Sequence, residues 1–289
     1  AVDYNGKHLF NKRTTIKLLV PLEESRYDYQ RQLYEDVTDY VRTSFNKAKE
    51  NRDTALALVM TMFQKIAGSS TAAIRSALST RLNGIKSGQI DNAEDYDPEF
   101  DMDEVAEVVP MNYSIQRTFD DRPETEVIQE LIDEADKCME LETDAKAEAM
   151  CKVIEKKRME EGDYHLKVLV FTEFRATQNY LVKYLTSKGF SCQTINGAMS
   201  LEERQVALNR FKDDSDIMVS TDAAGESLNM QFCHIVFNYD LPWNPMAIEQ
   251  RIGRVDRIGQ KHPVTAYNML TTNSIDAQVY GIIVGKLDT

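Results

Sequence analysis

The densest group of chemically capable side chains lies in the segment EQRIGRVDRIGQ, residues 249–260, which places Arg251, Arg254 and Arg257 within seven residues. We expect these residues to lie on a helix whose apolar positions, Ile248, Ile252 and Val255, face the core. Gln250, Arg254 and Arg257 then stand at i, i+4 and i+7 and share one face. A row of guanidinium groups suits the spread negative charge of a phosphoryl group in transfer. Removing such an arginine finger costs ~10³–10⁵ in rate. The segment therefore predicts a role in phosphoryl transfer.

The same arginines have a second interpretation, in which they lie on a solvated basic helix and pair with Glu249 and Asp256. Two glycines weigh against it, because Gly253 and Gly259 cost helix stability without improving a solvated face. The segment alone leaves both interpretations open.

A second polar segment, residues 219–245, reads VSTDAAGESLNMQFCHIVFNYDLPWNP. Ser220 and Thr221 end a predicted strand, where their hydroxyls could hydrogen-bond a phosphodiester oxygen. Polar residues that could reach a ribose or the arginines follow: Asp222, Glu226 and Asn229, arranged around Gly225. The alternative is an ordinary connection from a strand through a turn to a helix.

Trp243 stands between two prolines in the sequence DLPWNP, which follows the same segment's last predicted strand. We expect it to be rigid and partly exposed, so that it could stack on a base or brace a helix. Packing in the core is the alternative.

The elements that would position these residues alternate between strands and helices from residue 164 to the end. This alternation predicts an α/β fold with a parallel sheet and helices on both faces. Working residues of such sheets lie beyond the carboxyl ends of the strands. Thr172, Asn196, Thr221 and Asp240 should therefore lie at that edge.

The earlier part of the chain has a different pattern of polar and apolar residues. A short strand candidate, TTIKLLVPL, opens it, and amphipathic stretches follow that predict a helical module over residues 1–122. Within it, residues 91–110 are acidic and poor in large apolar side chains, which predicts a solvated or disordered loop. We predict one linking helix over 123–163 and an α/β lobe over 164–289.

The net charge of −13 is unevenly distributed. Residues 1–90 carry 14 basic and 9 acidic side chains, residues 91–163 carry 8 and 25, and residues 164–289 carry 12 and 13. The acidity belongs to the middle segment, so a local basic surface elsewhere remains possible.

The four cysteines are well separated and the four histidines are scattered, so we expect reduced thiols and no metal site. No apolar run is long enough for a membrane span, and we expect no membrane partner. The first residue is Ala rather than Met. These features predict a cytoplasmic protein, nucleoid-associated if bacterial, of which this chain is a fragment.

Four segments, in this order and spacing, resemble motifs IV to VI of Swi/Snf-type ATPases of helicase superfamily two: KVLVFTEF, NGAMSLEERQVALNRF, STDAAGESLNMQFCHIVFNYDLPWNP and EQRIGRVDRIGQ. Within that family the bacterial RNA-polymerase-associated branch is most similar. The resemblance covers residues 164–289 closely and the helical part loosely. One departure is Ser227, where the family often has a second glycine after Glu226.

The resemblance implies a RecA-like lobe that works with a first RecA-like lobe of the same parent chain, with ATP and Mg²⁺ in the cleft and double-stranded DNA across both. It implies arginine fingers at Arg254 and Arg257. Further implied roles are these: nucleotide contact by Gln250, Gly225, Glu226 and Asn229, phosphate-backbone contact by Thr172 and Thr221, and coupling of the two sites by Asp240 with Trp243.

The residues that should hold the phosphates and Mg²⁺ are missing, since no G-x-x-x-x-G-K-S/T loop occurs in the chain. The string DEAD at residues 133–136 does not indicate a magnesium-binding motif. Helical periodicity around it predicts Ile132 and Ala135 inward and the acids outward, whereas a magnesium motif would follow a buried strand. We therefore expect ATP and Mg²⁺ to be bound mainly by the missing first lobe, and this fragment alone to be inactive.

Two other functions remain open from the sequence. The acidic residues 91–163 could bind protein partners, which would make the chain a regulatory or scaffold module. Alternatively, the fragment could bind nucleic acid nonspecifically and weakly, with an affinity that falls steeply with salt concentration.

Overall fold

A computed structural model describes residues 12–50, 54–88, 122–141, 143–222, 228–272, 274 and 277. The chain divides into two compact units. One contains Ala1–Val20, Lys146–Leu270 and Tyr280–Thr289, and the other contains Pro21–Ala145 and Thr271–Val279. The predicted acidic loop 91–110 lies outside the described residues.

The second unit is helical. After a short 3-10 turn at Ser25–Tyr27 come α1 (Asp28–Glu50), α2 (Thr54–Ser69), α3 (Thr71–Ser87) and α4 (Glu124–Glu140). Helix α1 packs against α2 and α4, and α3 against α2 and α4. Ser70 caps α3 by accepting a hydrogen bond from Ala73 N, and Gly88 ends it in the left-handed region with φ 67°.

The first unit is an α/β lobe with a six-stranded sheet. Its elements are β1 (Arg13–Val20), α5 (Ala145–Glu161), β2 (Val168–Phe171), α6 (Arg175–Ser187), β3 (Cys192–Ile195), α7 (Leu201–Asp213), β4 (Ile217–Ser220), β5 (Ile235–Asn238), α8 (Pro245–Ile252) and β6 (Val264–Thr271). The sheet order is β1-β6-β5-β2-β4-β3, and the ladders that join β6, β5, β2, β4 and β3 are parallel.

The central strands β2, β4 and β5 are buried at every position, as their continuous apolar runs predict. One core cluster joins them to helices α7 and α8. Phe211, Ile252 and Val255 are fully buried in it. This core fixes the sheet edge at which the strands end.

Two segments differ from their predictions. Residues 123–163 form two helices rather than one, because the chain leaves the helix at Leu141 and starts again at Ala145. Thr143 and Asp144 precede that restart and are residue types that favour helix starts over helix interiors. The strand candidate before the helical module is β1, which lies beside β6 in the lobe's sheet.

The DEAD string lies within α4, as predicted. Ile132 and Ala135 are buried there, and Asp133 is exposed. Asp136 forms an ion pair with Arg75 of α3. Glu134 is half-buried rather than fully outward, and the string lies within a helix instead of following a strand.

Candidate functional site

The strand ends of the lobe meet at one edge of the sheet. Phe171, the last residue of β2, is in register with Ser220 of β4 and Asn238 of β5, and Ser220 is in register with Ile195 of β3. The four predicted strand-end residues, Thr172, Asn196, Thr221 and Asp240, follow these positions within two residues. The predicted edge is therefore present in the structure.

Asp240 joins the ends of two neighbouring strands. One of its carboxylate oxygens accepts a 2.5 Å hydrogen bond from the Thr172 hydroxyl, and the other accepts a 2.6 Å hydrogen bond from the backbone N–H of Glu173. Thr172 is fully buried and Asp240 is 6 % exposed. Because charged acceptors make strong hydrogen bonds, this arrangement holds the end of β2 against the end of β5.

Arg251, in the last turn of α8, extends from the helix to the same edge. Its Nε donates a hydrogen bond to Asp222 Oδ1 and its Nη2 donates one to Asp222 Oδ2, each at 2.5 Å. Asp222 follows β4. Its Nη1 donates a 2.7 Å hydrogen bond to the backbone oxygen of Asp240. The guanidinium lies 5.5 Å from the ring centroid of Phe171. One side chain thus contacts residues at the ends of three strands.

Burial of Arg251, which is 2 % exposed, would by itself lower the pKa of the guanidinium. The charge of Asp222 and its hydrogen bonds raise that pKa, with further contributions from Glu173 and Asp240, and the net pKa is raised. The buried charge is therefore retained and neutralised by carboxylates.

Helix α8 ends at Ile252, and this corrects the prediction of one helix through the arginine segment. The backbone N–H of Arg254 donates to Arg251 O, and that of Val255 donates to Ile252 O, which are turn hydrogen bonds of three-residue spacing. Gly259 then has φ 100°, a left-handed conformation that favours glycine. Gln250, Arg254 and Arg257 consequently do not share a helical face.

Arg254 and Arg257 lie in this turn, half-buried. Arg257 Nε donates a 2.9 Å hydrogen bond to Gly253 O. Its two terminal nitrogens make no hydrogen bond or ion pair within the part of the chain that the structure describes. They are the atoms of Arg257 with which it could bind an anion.

The alternative pairing with Glu249 and Asp256 is not found. Both oxygens of Glu249 accept hydrogen bonds from Arg13 of β1, at 2.8 and 2.6 Å. Among the described residues Asp256 forms no ion pair, and its Oδ1 is buried without a hydrogen-bond partner. Neither carboxylate therefore neutralises Arg257.

The predicted nucleotide contacts fall into two groups. Gln250 and Asn229 are exposed, and Asn229 Oδ1 accepts a 3.2 Å hydrogen bond from Gln231 N. Gln231 in turn donates to Ile258 O at 2.8 Å, which links this loop to the arginine turn. Gly225 and Glu226 lie outside the described residues.

The predicted nucleic-acid contacts are all buried. Thr172 and Thr221 are 0 % exposed, and the backbone N–H of Thr221 donates to Ile195 O. Trp243 is 5 % exposed, so our expectation of partial exposure was wrong and the core-packing alternative holds. Its large apolar ring gains more from burial than from standing at the surface.

Arg251 is the site residue whose role sequence reasoning missed. The signal was present, because Arg251 lies three residues after Ile248 and one before Ile252, on the face that we expected to meet the core. A charge on an apolar face indicates a buried ion pair. Its partner is Asp222, which we expected to reach either a ribose or the arginines.

Residues 145–259 match the family model of the helicase conserved C-terminal domain. The ATP-dependent helicase YqhH of Bacillus subtilis is 40 % identical over 121 residues, 42 % of this chain and 22 % of that protein. SWI/SNF-related matrix-associated actin-dependent regulator of chromatin subfamily A member 1 of Mus musculus is 30 % identical over 117 residues, 39 % of this chain and 11 % of that protein. Residues 145–259 are therefore similar to the helicase C-terminal domains of Swi/Snf-type proteins.

This domain has the expected RecA-like fold. The crystal structure of the C-terminal part of the Fun30 ATPase domain is similar, with a TM-score of 0.62 at 14 % identity, over 94 % of this chain and 89 % of that chain. The Swi/Snf-type resemblance predicted from the motifs is therefore confirmed, as is the α/β fold preceded by a helical module. The matched segments span less than a quarter of the two curated relatives' lengths.

Among the described residues, no helix is long and apolar enough to cross a membrane. No group of three or more His, Cys, Asp or Glu side chains in the same residues could hold a metal ion.

Proposed function

We propose that this domain is the carboxy-terminal lobe of an ATP-dependent DNA translocase or remodeller, and that Arg254 and Arg257 act as arginine fingers on its nucleotide. ATP and Mg²⁺ would be bound mainly by a first RecA-like lobe of the same protein. The observation that carries the proposal is the set of terminal nitrogens of Arg257, which no described carboxylate neutralises. Such nitrogens are suited to a phosphoryl group that develops negative charge.

Gln250 and Asn229 support the nucleotide side of the proposal, because both are exposed and polar and lie on the segments that carry or contact the arginine turn. Gly225 and Glu226 complete the proposed set. The resemblance to Swi/Snf-type ATPases supports duplex DNA as the substrate. Contact of Thr172 and Thr221 with the phosphate backbone would require both side chains to become accessible, since both are buried here.

The decisive experiment measures ATP turnover by the complete protein with and without duplex DNA, for the wild type and for Arg254→Ala and Arg257→Ala. We expect DNA to stimulate the wild type and each variant to lose at least ~10³-fold in kcat. Arg210→Ala is the matched control, since Arg210 is an exposed arginine of α7 that forms no ion pair with the other described residues.

Three results bear on the proposal. Near-normal turnover by both variants would remove the arginine-finger assignment. A wild type that DNA does not stimulate would remove the motor itself. This chain alone should hydrolyse no ATP, and measurable turnover by it would contradict the assignment of the phosphate cradle to another lobe.

A further inference from the structure

We infer that Arg251 is a positioning residue that sets the place of the arginine turn and connects it to the strand ends. The inference rests on the proposed function, because its effect is exerted through Arg254 and Arg257. It adds a new residue to that function, because Arg251 contacts neither nucleotide nor DNA in the proposal. Arg251 is buried, and each of its three guanidinium nitrogens donates a hydrogen bond to a protein acceptor.

The first link runs from Arg251 to the sheet. Its planar fork binds both oxygens of Asp222 at 2.5 Å each, and its third nitrogen binds Asp240 O at 2.7 Å. This geometry fixes both the position and the orientation of the side chain, which a single contact could not do. The last turn of α8 is thereby fixed to the ends of β4 and β5.

The second link runs from Arg251 to the turn. Its backbone oxygen accepts a 3.2 Å hydrogen bond from Arg254 N, and Arg254 O accepts a 3.1 Å hydrogen bond from Met230 N. The arginine turn starts directly where the fixed helix ends. A shift of Arg251 therefore moves Arg254 and, through Gly253 and its bond to Arg257 Nε, Arg257 as well.

The third link runs through Asp240 to Thr172. Asp240 offers its backbone oxygen to Arg251 and its carboxylate to the Thr172 hydroxyl and Glu173 N. A chain of hydrogen bonds thus extends from the proposed nucleotide side to the predicted DNA side. Stimulation of ATP turnover by DNA should depend on it.

Stability alone does not explain a buried arginine here. Replacing buried ion pairs by well-packed apolar residues is often neutral or stabilising, so such a pair is weak evidence for a stabilising role. A guanidinium group that binds through two nitrogens instead fixes the orientation of its side chain. The module contains a comparable pair, Arg81 with Glu124, in which the arginine side chain is 4 % exposed and the shortest contact is 2.6 Å.

The test compares Arg251→Lys with Arg81→Lys in the complete protein. Each keeps its charge and loses the guanidinium fork, so both should unfold at lower temperature. For folded Arg251→Lys we expect kcat at saturating DNA to fall ~10²-fold while KM for ATP changes less than about twofold. The ratio of DNA-stimulated to basal turnover should also fall. Arg81→Lys should keep the wild-type kcat and ratio.

A folded Arg251→Lys variant with wild-type kcat and stimulation would overturn the inference and leave the proposed function intact. A wild type whose ATP turnover is not stimulated by DNA would instead overturn the proposed function. Should Arg251→Lys fail to fold, Asp222→Asn weakens the same fork from the partner's side, where the side chain is 38 % exposed. Wild-type kcat and stimulation in folded Asp222→Asn would equally overturn the inference.

Discussion

Arg13, in the first strand, donates hydrogen bonds of 2.8 and 2.6 Å to the two carboxylate oxygens of Glu249 in α8. The bond to Glu249 raises the pKa of Arg13. Positions far apart in the sequence are thus joined within one lobe, next to the helix turn that carries Arg251. Glu249, which the sequence left open as a partner for the arginines of residues 251–257, is therefore paired with Arg13.

We expect the Arg13–Glu249 pair to contribute little to stability, because each side chain remains about a third exposed. Glu249→Gln should lower the free energy of unfolding by less than ~1 kcal/mol, and by less still at high salt. Urea denaturation at two salt concentrations measures this. Glu202→Gln, on the exposed face of α7, is the control, and a loss above ~2 kcal/mol in Glu249→Gln would show that the pair is stronger than its exposure indicates.

Phe211 of α7 is fully buried in the core cluster of the lobe and packs edge-on against Phe232 at 5.3 Å between ring centroids. Phe211→Ala should destabilise the protein by ~3–5 kcal/mol, because it removes apolar contacts and leaves a cavity. Val206→Ala on the same helix, where the side chain is 51 % exposed, should cost less than ~0.5 kcal/mol. Equal losses in the two variants, measured by chemical denaturation, would contradict this placement of the core.

Ser200 and Glu203 form a capping box at the start of α7, with the Ser200 hydroxyl accepting from Glu203 N and Glu203 accepting from Ser200 N. Ser200→Ala should cost about 1 kcal/mol of unfolding free energy, since a backbone donor loses its partner. Ser187→Ala, near the end of α6, provides a hydroxyl deletion away from a helix start. Unchanged stability in Ser200→Ala would contradict the cap.

Glu134 of α4 has a raised pKa, caused first by burial and then by the nearby charge of Asp36. A carboxyl whose pKa is higher in the folded than in the unfolded protein binds protons more tightly when folded. Stability is therefore lost as pH rises from the unfolded pKa through the folded pKa. Glu134→Gln should raise the free energy of unfolding at pH 7, and the difference should vanish below the unfolded pKa.

Thermal unfolding of Glu134→Gln and wild type across this pH range provides the measurement. Asp133→Asn, exposed on the same helix, is the control and should change little. A Glu134→Gln variant that is less stable than wild type at pH 7 would contradict this prediction, because the charged carboxylate would then stabilise the folded protein.

Much of the lobe could be predicted because its buried strands are short apolar runs with helices between them, as in β2 and β4. The end of α8 was missed because Gly253 was weighed only as a cost within a helix and not as a point at which the helix stops. Trp243 was misjudged since the prolines around it indicate rigidity but not burial. The pairing of Arg251 with Asp222 depends on strand order, which local sequence patterns do not contain.

The position of β1 has a consequence for how the lobe is assembled during synthesis. Lys12, just before β1, accepts its hydrogen bond from Val264 N at the start of β6, so the first described strand of the chain is completed by the last. At ribosomal speeds of ~5–20 residues per second, the interval between the two is roughly 10–50 s. During that time an edge strand bearing Ile16 and Leu19 has no partner in its own sheet. The sheet of the lobe therefore closes only after β6 has been synthesised, and termination before β6 would release a chain whose β1 strand lacks its neighbour.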